Sequence, residues 1–508
     1  MRAFLRKLVL SGLLVAGCVR LSAFSLLGSY AIDLGGAVWQ VPQIGYGLNA
    51  DLGGSMNLGE EYRFNVPYLS YGFDESFLNY FGSRGVEEIE KAISIFNALP
   101  KFSELSAGLE EFPMDTRRFN YQATALNLYD LKSVTMSFLM EQLGAAGAER
   151  WVWALRNYVP PADPVPPIYT VIKRNFDPVT FEPSSYVNGS LYTYQILAVT
   201  PTPDFDAVEF ETDPTLPSVT SVSATWNDLA LIGASGSFLS GTTGMFFTGL
   251  TRDDIGALRY IYRPSNLNIE NVATNAVATV AGAGTGVVGT GGSNPFLPPP
   301  GGTNTAGVTT NSFVNAGLRA GIDKVTFVRV NPESLVGVWL PITNVWKDSY
   351  VTNGVKQTQT LQRVDARPDI LFSASDLGIV ADGELFYYIR SLAMQNNDAI
   401  NGASTFQLSG PGTLGGQTEI GFSKVGPWFL LTGGGEDNHT ALPVWGSYDG
   451  STNIPVVYPS GTSIKTLEQI IMSGAANSRL NPYLAPAALL QPVQADAQVV
   501  NDTGGTAP

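Results

Sequence analysis

Two stretches of the chain carry side chains at a spacing that could do chemistry. In Asp130–Gly144 (DLKSVTMSFLMEQLG), Ser137 and Glu141 stand four residues apart, which on a helix puts a hydroxyl and a carboxylate on one face. In Gly244–Tyr262 (GMFFTGLTRDDIGALRYIY), Met245 precedes Thr251-Arg252-Asp253-Asp254, an acidic helix start favoured by the helix dipole. A hydrolytic zinc helix needs three imidazoles converging on the metal and a carboxylate base, in the pattern H-E-x-x-H-x-x-G-x-x-H. The sequence holds one histidine, His439, remote from both stretches. A hydroxyl and a carboxylate cannot replace three imidazoles, and no base remains to activate a water.

Together the two stretches resemble the active-site helix and the methionine turn plus closing helix of the matrixin-type metzincins, over roughly residues 66–262. With Gly144 set on the glycine of that helix and Leu143 before it, Ser137, Glu141 and Gly147 occupy the places of the three histidine ligands. Phe138 then occupies the place of the general-base glutamate. Met245 matches the methionine that underlies the zinc, and Asp253-Asp254-Ile255 with Leu258–Tyr262 matches the run that packs the last helix back. The resemblance implies an α+β metzincin-like domain, an open sheet with helices, from which the zinc site has been vacated. It implies no catalytic residue and no zinc; if the scaffold were active, it would be a divergent zinc metallopeptidase using Glu141 and ligands of another kind.

Other chemistry is thinly represented. A Ser-His-Asp triad would have to use His439, and no G-x-S-x-G elbow presents a serine. Glu436, Asp437, Asn438 and Asp449 are oxygen donors in loops and are the candidates for calcium, although their spacing is not that of an EF-hand. Trp428, Trp445 and Tyr448 are candidates for an aromatic platform that binds a glycan, with core packing as the competing role.

The N-terminus reads as an export signal. Arg2, Arg6 and Lys7 precede the apolar run Leu8–Val19, too short to span a bilayer as a mature helix. Two ends are available. Val15-Ala16-Gly17-Cys18 resembles a lipobox, which would lipidate Cys18 and make residues 1–17 the leader; Leu21-Ser22-Ala23 offers cleavage before Phe24, making it 1–23. Cys18 is the sole cysteine, so no disulfide framework exists. Acidic residues outnumber basic ones 44 to 29 for a net charge of −15, which disfavours nucleic acid as a partner. The expected setting is the bacterial periplasm, outer-membrane surface or exterior. Expected partners are an envelope protein, a glycan or further copies of the chain, with membrane contact only through a lipid at Cys18.

These motifs need elements to hold them. Residues 24–65 read as an irregular Gly-rich arm. Val66–Phe73 alternates as a strand, and Val86–Leu99 has apolar residues at helical spacing, ended by Pro100. Asp130 is placed to cap a helix that stops at Gly144, a second short helix is expected at about 148–158, and Ser190–Val199 reads as a strand. The α+β domain is expected over 66–265, a Gly/Ala/Thr/Pro-rich linker over 266–320, and a flexible tail over 477–508. Between the last two, 321–476 shows short strands and frequent turns, including Asp449-Gly450, and is expected to form an immunoglobulin-like all-β sandwich.

Overall fold

The computed structural model describes residues 22–28, 55–126, 128–149, 151–159, 168–199, 204–211, 220–223, 243–279, 314–332, 338–375, 378–379, 385–386, 388–390, 394–397, 410–423, 444–459 and 461. The protein mixes α and β structure and is rich in strands, with four α-helices among those residues. Cys18, Trp428, Glu436, Asp437, Asn438 and His439 lie outside them.

The expected first strand forms as β1 (Tyr68–Phe73). Its partners come from far along the chain: β2 (Thr326–Arg329), β3 (Ile370–Ser375), β4 (Tyr388–Arg390) and β5 (Thr418–Ser423). The order across the sheet is β2-β1-β3-β5-β4, with the first four strands parallel and β4 antiparallel to β5. Leu69–Phe73 of β1 are buried without alternation, as a parallel strand covered on both faces should be.

Helix α1 (Glu75–Asn97) follows at once, capped by Asp74, whose carboxylate accepts from the Phe77 N–H at 2.8 Å. It begins well before the expected Val86 and bends at Gly82, whose φ of 62° only glycine adopts cheaply. Phe77, Phe81, Val86, Ile89, Ile93 and Phe96 form the buried stripe that packs on the sheet. Gly85 permits this bend, because a Cβ there would stand 2.2 Å from that of Phe81. The short helix α2 (Tyr121–Ala125) and then α3 (Leu131–Gln142) come next, with α3 packed against α1; α4 (Arg252–Tyr262) is the last helix.

One aromatic core joins these parts. Phe73 stacks on Phe372 with ring centroids 5.5 Å apart, Phe81 meets Tyr458 at 5.0 Å, and Phe422 meets Trp445 edge-on at 5.2 Å. A second assembly is the sheet Leu267–Asn271, Ala316–Ala320, Ile342–Thr352, Val355–Asp365, Ala276–Ala278, antiparallel throughout. Its two outermost strands are consecutive and joined by four residues, so the sheet must curl until its edges approach. Arg63 fastens it to the body through an ion pair to Glu270 at 2.6 Å and hydrogen bonds to the carbonyls of Ile261, Asn266 and Arg319. Both side chains of the pair are 1% exposed, so these extra acceptors are what offset the cost of burying the charge.

Four expectations are corrected here. The segment 266–320 does not separate two bodies: both its ends are strands of the curled sheet, where Leu267, Ile269 and Val277 supply β-formers within the small-residue composition. The described strands of 321–476 do not build a separate antiparallel sandwich: the hairpin Ile342–Thr352/Val355–Asp365 belongs to the curled sheet, and other strands pair with partners from the first third of the chain. Three examples are Thr326–Arg329 with Tyr68–Tyr71, Gly412 with Tyr62, and Val444–Gly446 with Leu128–Asp130, all parallel. The arm 24–65 is anchored at both ends, with Phe24, Leu26, Met56 and Tyr62 in the core. The helix expected at 148–158 is instead partly the strand Ala154–Val159, and its apolar residues Trp151, Trp153 and Leu155 do in fact repeat every second position.

A sheet interleaved in this way predicts that residues 321–476 expressed alone will not fold. Urea titration followed by tryptophan fluorescence should give no cooperative transition, whereas the full chain should give one.

Candidate functional site

The two motif stretches meet in space. Helix α3 starts at Asp130, whose Oδ2 accepts from the Ser133 N–H at 3.0 Å and from the Ser133 hydroxyl at 2.5 Å. That hydroxyl in turn accepts from the Phe247 N–H at 2.8 Å, which ties the strand Met245–Phe247 to the first turn of α3. At the far end, the Tyr262 hydroxyl donates to the Leu143 carbonyl at 2.8 Å, so the end of α4 is fastened to the end of α3. Gly144 closes α3 at φ 96°, with the Tyr62 carbonyl so near that a Cβ would lie 2.3 Å from it.

The positions that the resemblance would assign to metal ligands are built over. Ser137, Phe138 and Glu141 are all 0% exposed. The Ser137 hydroxyl donates to the Ser223 carbonyl at 3.4 Å, and the Phe138 ring packs 5.8 Å from that of Phe422. Gly147 is buried and offers no side-chain donor. Met245 is buried opposite Phe119, and its carbonyl accepts from the Tyr448 hydroxyl at 3.3 Å. A zinc ion held by side chains does not fit this donor set: one carboxylate and one engaged hydroxyl fall short of three ligands. Among the described residues, no group of three His, Cys, Asp or Glu side chains could hold a metal ion.

The acidic pair at the start of α4 has a different task. Asp254 closes a capping box with Thr251: its Oδ2 accepts from the Thr251 N–H at 2.8 Å and the Thr251 hydroxyl at 2.6 Å. The same carboxylate holds the N–H groups of Val222 and Ser223 at 3.1 and 3.0 Å. Asp253 accepts from the Ala23 N–H at 2.9 Å, the Asn188 N–H at 2.6 Å and the Ser22 hydroxyl. Beside them Glu149 accepts from the N–H groups of Thr220 and Ser221 at 2.7 and 2.8 Å and from both their hydroxyls. Burial pushes all three carboxyls above their ordinary range, against the pull of these donors. Sequence reading identified Asp253 and Asp254 as dipole partners and as part of the run that packs the last helix, not as anchors for distant loops; Glu149 carried no local signal, because its donors come from residues about seventy positions away.

The proposed aromatic platform is corrected. Trp445 is 1% and Tyr448 5% exposed; Trp445 faces Phe81 and Phe422, and Tyr448 meets Phe246 edge-on at 5.9 Å. A glycan platform needs an open ring face, which neither offers. Asp449 is exposed, and its Oδ1 accepts from Asn453 at 2.7 Å, the contact of a turn residue; the remaining loop acids and Trp428 fall outside the described residues, as does Cys18. Compared with known protein families, curated proteins and solved structures, the chain has no match in any of the three.

Two outcomes are expected from this geometry. Asp254→Ala strands the N–H groups of Thr251, Val222 and Ser223, and denaturant unfolding should register a loss of about 3 kcal/mol or more, with a smaller loss for Asp254→Asn. Asp130 is the second case, its carboxyl pushed up to about 6, chiefly by burial, from its ordinary value near 3.8. The folded state holds this proton more tightly than the unfolded state, so the contribution of Asp130 to stability falls as pH rises from about 4 to 6. Wild type should therefore gain about 1 kcal/mol relative to Asp130→Asn between pH 7.5 and 5, measured by urea titrations at the two pH values.

Proposed function

We propose that this is an exported bacterial cell-envelope protein in which a metalloprotease-like scaffold, emptied of its zinc site, serves a structural or binding role. The observation that carries the reading is the filling of the vacated positions. Phe138, in the place of a general base, is a core residue against Phe422, and Ser137 is engaged by the backbone of residue 223. A peptide substrate would need an open cleft along α3, and these side chains are closed off from solvent.

The scaffold part of the reading draws on α3, the Met245 strand and α4 lying together, joined by Ser133 to Phe247 and by Tyr262 to Leu143. Export draws on the basic start and apolar run of residues 2–19. Among the described residues no helix is long and apolar enough to cross a membrane. The role would be exercised through contact with an envelope protein, a glycan or another copy of the chain, with no cofactor required.

Elemental analysis of the purified protein, dialysed without chelator, tests this reading. Zinc should be far below one ion per chain, and peptide hydrolysis should be unchanged by adding a chelator. One tightly held zinc per chain, with chelator-sensitive hydrolysis, would instead establish a divergent metallopeptidase.

A further inference from the structure

The leader has two candidate ends in the sequence, before Cys18 or before Phe24, and the fold treats them unequally. Ser22 and Ala23 are both 0% exposed and continue without a break into Phe24, Ser25 and Leu26, which are equally deep. The segment is pinned along its length. Phe24 exchanges two backbone hydrogen bonds with Phe176 at 3.0 and 2.9 Å, Leu26 pairs with Ala145, and the Leu27 N–H donates to the Gly144 carbonyl at 2.9 Å.

Ser22 and Ala23 add a polar task to this packing. They provide two of the three donors that hold Asp253 from outside its own helix, the third being the Asn188 N–H. Asp253 is 1% exposed and has no ion-pair partner among the described residues. Removing both donors would leave a buried carboxylate on the single Asn188 N–H, a loss proteins tolerate poorly. It would also open a void at the first turn of α4.

We infer that the exported chain retains Ser22 and Ala23, and that leader processing falls on the N-terminal side of Ser22. Ser22-Ala23 is then part of the folded body rather than the end of a leader, and of the two ends only the one before Cys18 keeps it. This inference rests on the export reading.

The full chain, produced with its own leader in a bacterial host, is recovered from the envelope fraction, and its first residue is read by N-terminal sequencing and intact mass. A chain beginning at or before Ser22, with or without added lipid mass, is expected; one beginning at Phe24 or later overturns the inference. A chain found only in the cytoplasm with its leader intact overturns the export reading instead. The structural half is then decided by chains released from a fusion partner so that they begin at Arg20 or at Phe24. The shorter chain should melt several degrees lower or fail to fold. Ser22→Ala in the longer chain should lower the melting temperature, and that effect should shrink when Asp253→Asn is also present. Equal melting temperatures for the two chains, or a Ser22→Ala effect indifferent to Asp253, would overturn it.

Discussion

Backbone N–H groups converging on buried carboxylates hold the helical half of this protein together. Asp253, Asp254 and Glu149 lie within one neighbourhood, and none has an ion-pair partner among the described residues. Their charge is met by dipoles instead: the amides of Ala23, Asn188, Thr220–Ser223 and Thr251, and the N-terminus of α4. Each carboxylate thereby fixes loops that have no regular structure of their own. The loop 220–223 is the clearest case, because Glu149 holds one side of it and Asp254 the other. Its Ser223 carbonyl then accepts from Ser137, which extends the chain of contacts from α4 to α3.

The other half depends on aromatic packing. Phe81 of α1, Phe138 of α3, Phe422 of β5 and Trp445 meet in one cluster, so each layer of the fold places a ring in it. The cluster explains why α3 cannot present a reactive face there. A helix with an active site leaves one side open to substrate, and α3 uses that side to close the core. The Arg63–Glu270 pair plays the corresponding part for the curled sheet, with a guanidinium bonded to three carbonyls as well as its carboxylate.

Local features were legible in the sequence and long-range ones were not. Asp130, Gly144 and Thr251-Arg252-Asp253-Asp254 act within one or two turns, and caps at these places are specified by neighbouring residues alone. Ser190–Val199 forms as the strand that its sequence suggests. Partner choice is a different matter. Nothing in Tyr68–Phe73 says that Thr326–Arg329 will lie beside it, because β-pairing is decided by shape and burial across the whole body. The aromatic residues near position 445 illustrate the same limit: a tryptophan on a strand has the same spelling whether its ring faces solvent or Phe422.

The position of β1 between β2 and β3 sets a timetable for the chain. Tyr68 must wait for Thr326, and Tyr71 for Ile370, before either edge of β1 is paired. At ordinary rates of synthesis, the roughly 350 residues from β1 to β5 take on the order of half a minute to make. During that interval the Phe77–Phe81–Ile89–Phe96 stripe of α1 has no sheet to cover it, and loop closure over such distances is slow in itself. The nascent chain therefore carries an apolar helix face without its sheet through most of its synthesis. Until Thr326–Arg329 and Ile370–Ser375 have been made, β1 has neither of its neighbours.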